Sequence, residues 1–390
     1  MTYTEACIVI NMVPRVGPVR LRRLLDAFGE PQAVLRASAD RLAAVEGIGP
    51  ETARIIAGWE NGIDLPGELA RARDAGVRVL TVQDEGYPPA LRSIYDPPVV
   101  LYVWGELTVR DARGVGVVGS RKPTFYGTET SKKLSYQLAA AGLTIFSGLA
   151  RGIDTAAHEG ALAARGRTVA VLGCGLSQIY PPENYGLAER IAAGSGAVVT
   201  EFAMGVNPDK QTFPMRNRII SGCSLGLVVV EASLKSGALI SAGQALEQGR
   251  PVLAVPGQID KPSAQGTNRL IQQGAKLVMG PEDVLEELDA LPDLFASAPP
   301  PRPVAAPQPA GSVPAPVPAS SGLPPAATLA GLRGSEAAVL AAVERDETPV
   351  DRIVATCGLP TAVVSSTLLA LELKKLVKQL PGKHYVRLAG

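Results

Sequence analysis

Short, nearly continuous apolar runs recur through the middle of the chain, at Gly114 to Val118, Leu143 to Phe146, Thr168 to Leu172, Ala197 to Thr200, Leu227 to Val230 and Val252 to Val255, with amphipathic stretches between them. Strands that are apolar on both faces belong in a parallel sheet covered by helices on either side. Residues 81–295 are therefore expected to form an α/β core, extended, Rossmann-like and doubly wound, with ligands outside the carboxyl ends of its strands. Before it, residues 1–80 read as a small helical domain, with short helices and tight turns from Ala6 to about Gly76. Its run Val45-Glu-Gly-Ile-Gly-Pro-Glu-Thr-Ala-Arg-Ile55 has the Gly-apolar-Gly turn of a helix-hairpin-helix (SAM-like) unit, echoed more loosely at Val16-Gly-Pro-Val-Arg-Leu21. Such a turn lets helix N-terminal amides approach a phosphate, or serves only as a sharp bend between packed helices.

After the core the pattern stops. Residues 296–330 are almost uncharged Pro, Ala and Ser, too poor in apolar bulk to fold, and are expected to act as a semi-extended linker. In residues 331–390, helices are predicted at Ser335 to Glu344, Val350 to Cys357 and Ala362 to Leu373, followed by two short strands around Pro381-Gly382. That order is a winged helix, a variant of helix-turn-helix. The middle of its third helix offers little to bases or phosphates, and the basic residues gather instead at Lys374, Lys375, Lys378, Lys383 and Arg387. Duplex binding and a protein-docking or dimer-regulating role both fit.

Charge narrows the picture. With 38 Lys and Arg against 37 Asp and Glu, the formal net charge is +1, so any nucleic-acid surface must be local. The four cysteines form no CxxC and there are two histidines, which leaves neither a zinc site nor a disulfide framework in view. No secretory pattern opens the chain and no apolar run approaches the roughly 20 residues of a spanning helix. The expectation is a cytoplasmic protein with no membrane insertion.

The strand-to-helix turns carry the candidate chemistry. After the first strand, Gly119 allows a tight turn, Ser120 brings a hydroxyl and Arg121 a planar fork suited to phosphate, and Thr124 is placed to begin the next helix. The glycine spacing is wrong for a dinucleotide fingerprint and no P-loop run occurs, so no cofactor is expected. The second turn brings Ser147, Gly148 and Arg151. Asp154 and His158 follow four apart, readable as a general base with its partner or as a buried structural pair. The third turn offers Gly173 and Gly175, whose amides suit an anion or a close chain approach, and Asn184 as a cap or phosphate donor; Cys174 has no histidine near it in sequence. Then comes the densest cluster, Lys210 followed by Phe213-Pro-Met-Arg-Asn-Arg218. Phe213 can stack on a base, Lys210, Arg216 and Arg218 can neutralise phosphates, and Asn217 can fix the backbone path. One of the two arginines could instead hold a core acid such as Glu201 or Glu231. Lys235 and Thr267 extend the track on later turns. No residue of these turns is assigned a catalytic role.

Together, Gly119-Ser-Arg121, Ser147-Gly-Leu-Ala-Arg-Gly-Ile-Asp-Thr-Ala-Ala-His158, Gly173-Cys-Gly175 with Tyr180-Pro-Pro-Glu-Asn184, Phe213-Pro-Met-Arg-Asn-Arg218 and Glu231-Ala-Ser-Leu-Lys-Ser-Gly237 closely resemble the DNA-processing protein A family, also called DprA or Smf. The resemblance implies a non-enzymatic single-stranded DNA-binding protein of natural transformation or recombination. Such a protein shields strands from nucleases and single-stranded-DNA-binding protein and loads the RecA recombinase. It also implies a homodimer through the α/β core, with Arg121 and Lys210 as phosphate ligands and Phe213 as the stacking ring. A rival resemblance is to nucleoside-monophosphate phosphoribohydrolases. Their Pro-Gly-Gly-x-Gly-Thr run and nearby Glu are missing at Ser233-Leu-Lys-Ser-Gly-Ala-Leu-Ile240.

Overall fold

The computed structural model describes residues 1–289 and, beyond them, 334–343, 348–359, 363–364, 367–368, 371, 376–380 and 384–387. The linker expected at 296–330 lies outside the described residues, as do Lys374, Lys375, Lys383 and the side chains of Lys378 and Arg387. The chain divides into two compact units, Met1–Pro301 and Arg302–Gly390.

In the first unit, α1 (Tyr3–Met12), α2 (Pro18–Phe28), α3 (Pro31–Arg36), α4 (Ala39–Ala43), α5 (Pro50–Ala57) and α6 (Leu65–Asp74) come before any strand. Gly17 and Gly49 are the N-caps of α2 and α5, each followed by Pro at the first helical position, where a missing N–H costs nothing. Gly47 takes φ +84°, a conformation that favours glycine, and so lets the second helix-hairpin-helix turn close. Val16 and Ile48, the apolar residues of the two turns, are buried in a core they share with α1.

A nine-stranded sheet follows, built from β1 (Val77–Thr81), β2 (Val100–Gly105), β3 (Gly114–Val118), β4 (Thr144–Ser147), β5 (Thr168–Val171), β6 (Gly196–Thr200), β7 (Gly226–Val229), β8 (Val252–Ala254) and β9 (Lys276–Leu277). Its order is β1-β2-β6-β5-β4-β3-β7-β8-β9, parallel from β6 to β9 and antiparallel at β1-β2 and β2-β6. The six apolar runs all form strands, shifted by at most a residue or so at their ends. The helices between and after these strands are α7 (Pro89–Arg92), α8 (Phe125–Ala140), α9 (Ile153–Ala163), α10 (Tyr185–Arg190), α11 (Thr212–Gly222), α12 (Ala238–Glu247), α13 (Gln265–Gln272) and α14 (Pro281–Asp289).

Alternation along each strand splits the core between the two faces. Val115, Val117, Ile145 and Val228 pack with α8, α9 and α14, while Phe146, Leu227 and Val229 pack with α11 and α12. Burial of apolar surface on both faces, at about 25 cal/mol per Å², is what holds a doubly wound sheet together. The strand order reverses between β3 and β7, so the turns after these two strands diverge and open a crevice at the carboxyl edge. The helical region packs on the same sheet: Cys7 and Ile8 of α1 share a core with Tyr102, Leu172 and Val198. Polar ties fix it there, since Asn11 Nδ2 donates to the Glu201 carbonyl (2.8 Å) and Met204 N donates to the buried Glu68 carboxylate (2.7 Å).

The second unit contains α15 (Gly334–Ala342), α16 (Val350–Cys357) and a three-stranded antiparallel sheet of β10 (Thr348–Pro349), β12 (His384–Arg387) and β11 (Val377–Leu380), in that order. Val364, Leu368 and Leu371 are buried with Val339, Leu340 and Ile353, the helical spacing expected of the third helix of a winged helix.

Candidate nucleic-acid interface

The turns that leave the carboxyl edge of β3, β4, β5 and β6 assemble a row of two aromatic rings flanked by two cations. Thr124 caps α8 through its hydroxyl, accepting from Gly127 N (3.1 Å), while the buried Glu231 carboxylate accepts from Thr124 Oγ1 (2.6 Å) and N. That anchor fixes the turn carrying Arg121. Arg121 is exposed, and its guanidinium carbon lies 4.9 Å from the centre of the Phe213 ring at the start of α11. Phe213 is next to Tyr180, with ring centres 5.9 Å apart and planes tilted by 41°. Over the Tyr180 ring, at 5.5 Å, sits Arg151, which donates to Tyr180 Oη (3.2 Å) and is clasped by both carboxylate oxygens of Glu183. The row therefore runs Arg121, Phe213, Tyr180, Arg151.

Gly173 sets the position of its central ring. A Cβ there would come within 2.8 Å of Phe213 Cδ1, so the ring packs flush against the end of β5. Thr212 Oγ1 also donates to the Gly173 carbonyl, tying the start of α11 to the same turn. Beneath the row lies Arg216, buried on α11. Its Nη1 occupies the place a Gly148 side chain would take, 1.4 Å from an ideal Cβ. Burial lowers the Arg216 pKa to about 10 against the opposing pull of Asp154, and the nearby Arg121 charge lowers it further. Burial also raises the Asp154 carboxyl, opposed first by Arg216 and then by hydrogen bonds from Ala150 N and Gly148 N. Both guanidinium charges favour the ionised Asp154 carboxylate, and Arg216 Nε has no hydrogen-bond partner among the described residues.

Lys210 and Lys235 are exposed and, among the described residues, have no ion-pair partner; Asn217 is half-buried and its side-chain amide makes no hydrogen bond there. Ser120 accepts from Lys122 N (3.1 Å) and sits in the same turn as Arg121. Gly119 is needed for packing, since a Cβ would meet Ile153 and the Glu231 carbonyl. Gly175 meets the chain itself, its N–H donating to the Val206 carbonyl (2.8 Å).

Four expected contacts are revised, because their polar atoms are consumed inside the fold. Ser147 Oγ donates to the Val117 carbonyl (2.6 Å), Asn184 Nδ2 to the Leu149 carbonyl (2.8 Å) and Thr155 Oγ1 (2.9 Å), and Thr267 Oγ1 to the Ala264 carbonyl (3.0 Å). Arg218, 5% exposed, pairs with Glu201 (2.6 Å) and Asp96 (2.9 Å). It is the core ion pair that the sequence left as an alternative, with Glu201 and not Glu231. Asp154 and His158 do not join as a pair either. Thr168 spends its one hydroxyl proton on the Ile145 carbonyl (2.7 Å), so His158 Nδ1 carries the proton that bridges to Thr168 Oγ1 (2.7 Å). Burial drives the His158 pKa down to about 3 and raises that of the Cys174 thiol.

Two residues at the row are not singled out by the sequence, Tyr180 within it and Glu183 as the partner of Arg151. Nothing in linear order shows that the Tyr180 ring meets Phe213. Among the described residues no cluster of three or more His, Cys, Asp or Glu could hold a metal ion, and no helix is long and apolar enough to cross a membrane.

The family described as DNA recombination-mediator protein A matches residues 78–289. The chain belongs to this family. A DprA winged helix domain matches residues 323–383, and a SAM-like helix-hairpin-helix tandem matches 9–61. The chain is 38% identical to Protein Smf of Synechocystis sp. over 386 residues, which covers 97% of each. It is 41% identical to Protein Smf of Escherichia coli over 318 residues, 80% of this chain and 77% of that one. The X-ray structure of DNA processing protein A from Streptococcus pneumoniae superposes with a TM-score of 0.64 at 35% identity, covering 74% of this chain and 99% of that one.

Proposed function

We propose that the chain binds single-stranded DNA along the carboxyl edge of β3 to β7, gripping the backbone and stacking bases without cleaving them. The observation that carries this reading is the Arg121, Phe213, Tyr180, Arg151 row set over the buried Arg216. Rings stack on any base, and guanidinium groups meet phosphates whatever the sequence, so the interface suits an unpaired strand of arbitrary sequence. Catalysis is a poorer fit, because the Cys174 thiol and the His158 imidazole are fully buried and out of a ligand's reach.

On this reading the protein shields strands in transformation or repair and hands them to the RecA recombinase in the cytoplasm; its family's description as a DNA recombination mediator supports the recombination part. It acts as a homodimer through the α/β core. Support for the dimer comes from edge strand β9 and the turn after it, where Leu277 and Met279 stand exposed, and from the exposed Ile259 in the turn after β8. The test is binding of the full chain to oligo-dT and to a duplex of equal length, alongside incubation with nucleoside monophosphates. Preference for oligo-dT with no released base supports the proposal; preference for duplex, or release of free base, contradicts it.

A further inference from the structure

A concavity of about 490 Å³, lined by none of the row's residues, lies between the helical region and the residues that join β1 to β2. One wall is α1 and α2, the other is residues 82–99. Tyr3, Leu25, Val82, Ile94 and Val99 make its lining largely apolar. Each wall contributes one arginine, Arg22 from α2 and Arg92 from α7, and both stack on tyrosines: Arg22 lies 5.6 Å from the centre of the Tyr95 ring and Arg92 lies 6.0 Å from that of Tyr87. Tyr95 is 72% exposed.

The charge here is one-sided. No carboxylate lines the cleft, and among the described residues neither arginine has an ion-pair partner; their hydrogen bonds go to the Tyr95 and Asp84 carbonyls, each at 2.9 Å. Two acids of the 82–99 wall are occupied elsewhere, while its Glu85 and Asp26 of α2 are exposed outside the lining. Asp84 accepts from Thr81 N (2.6 Å) and Oγ1 (2.7 Å), and Asp96 is held by Arg218. The Asp96 bond also ties the Tyr95 loop to α11, so the cleft is formed before any ligand arrives.

We propose that this cleft docks an acidic peptide segment of a partner protein, with an apolar side chain seated between the walls and carboxylates on either side paired to Arg22 and Arg92. The volume lies within the range of preformed ligand sites. Tyr and Arg are the residue types that anchor protein interfaces, and a planar guanidinium meets a carboxylate through two parallel hydrogen bonds. A nucleotide fits less well, because a buried base brings polar edges that Leu25, Val82, Ile94 and Val99 leave without partners, whereas a leucine or phenylalanine side chain has none.

The probe is a fluorescein-labelled peptide with three aspartates on each side of a leucine-phenylalanine pair, titrated with the full chain and followed by anisotropy. We expect saturable binding that weakens about tenfold or more when Arg22→Gln and Arg92→Gln are combined, and by a similar factor when serines replace the apolar pair in the peptide. Phe213→Ala should leave peptide binding unchanged, which separates this site from the proposed strand interface. Both arginines are exposed and the glutamines keep most of the side-chain length, so loss of binding will not reflect misfolding, and matching thermal melts will confirm this. No binding by the parent chain, equal binding by the double variant, or displacement of the peptide by short oligo-dT would each overturn the proposal, the last by assigning the cleft to nucleic acid.

Discussion

Arg121 lies 4.9 Å over the ring of Phe213, a cation stacked on an aromatic residue that is itself packed against Gly173. The pair joins two different kinds of affinity in one place, because the ring offers stacking and the guanidinium offers charge. They separate by their response to salt. Phe213→Ala should lower oligo-dT affinity by about 1–3 kcal/mol and leave the slope of log affinity against log salt unchanged. A binding isotherm repeated at several salt concentrations checks both halves; an unaltered affinity would remove the ring from the interface.

Gly173→Ala tests the ring's position without touching its chemistry. The added methyl group would stand 2.8 Å from Phe213 Cδ1, so the ring must shift. We expect oligo-dT affinity to fall toward that of Phe213→Ala, and the two substitutions combined to cost little more than either alone. Additive losses would show that Gly173 and Phe213 act independently.

For Arg218 the prediction is about stability. Removing it leaves Glu201 buried without its cation, and breaking a buried pair in this way costs about 3–5 kcal/mol. Arg218→Ala should lower the denaturant midpoint sharply, while the protein that remains folded keeps its affinity for oligo-dT. A stable variant with weakened, salt-sensitive binding would return Arg218 to the interface.

His158 sets an acid limit on the fold. Its pKa is about 3 in the folded state against about 6.5 in the unfolded chain, so below pH 6.5 the unfolded state takes up a proton that the folded state refuses. The stability conferred by the neutral ring is complete above pH 6.5 and is lost as pH falls toward 3, by up to about 4–5 kcal/mol. Chemical denaturation of the parent and of His158→Gln between pH 7 and 4 should show the parent losing more stability over that range. Parallel pH profiles would contradict it.

Much of the fold was legible because parallel strands buried on both faces leave apolar runs, and β3 to β8 follow those runs closely. The strands β1 and β2 were not placed. They pair antiparallel at the sheet edge, outside the strand-helix alternation on which the pattern depends, and β1 carries the exposed Arg78. At the site, linear order gave Arg121, Lys210 and Phe213 as candidates, and the structure leaves the two cations exposed. It could not separate Arg216 from Arg218, which are two residues apart: one guanidinium is beneath the row beside Gly148, while the other reaches Glu201 and Asp96. Polar residues placed at turns, such as Ser147 and Asn184, looked available because sequence does not show which carbonyls their side chains meet.

The central claim is that exposed cations at the carboxyl edge of the sheet hold the phosphates of an unpaired strand, and the salt dependence of binding tests it most directly. Anisotropy of labelled oligo-dT should be measured across a sodium chloride series for the full-length parent, Arg121→Ala and Lys210→Ala. If each side chain neutralises one phosphate, each variant's log-log slope will be shallower than the parent's by about 0.7 to 1. Three identical slopes would contradict the account.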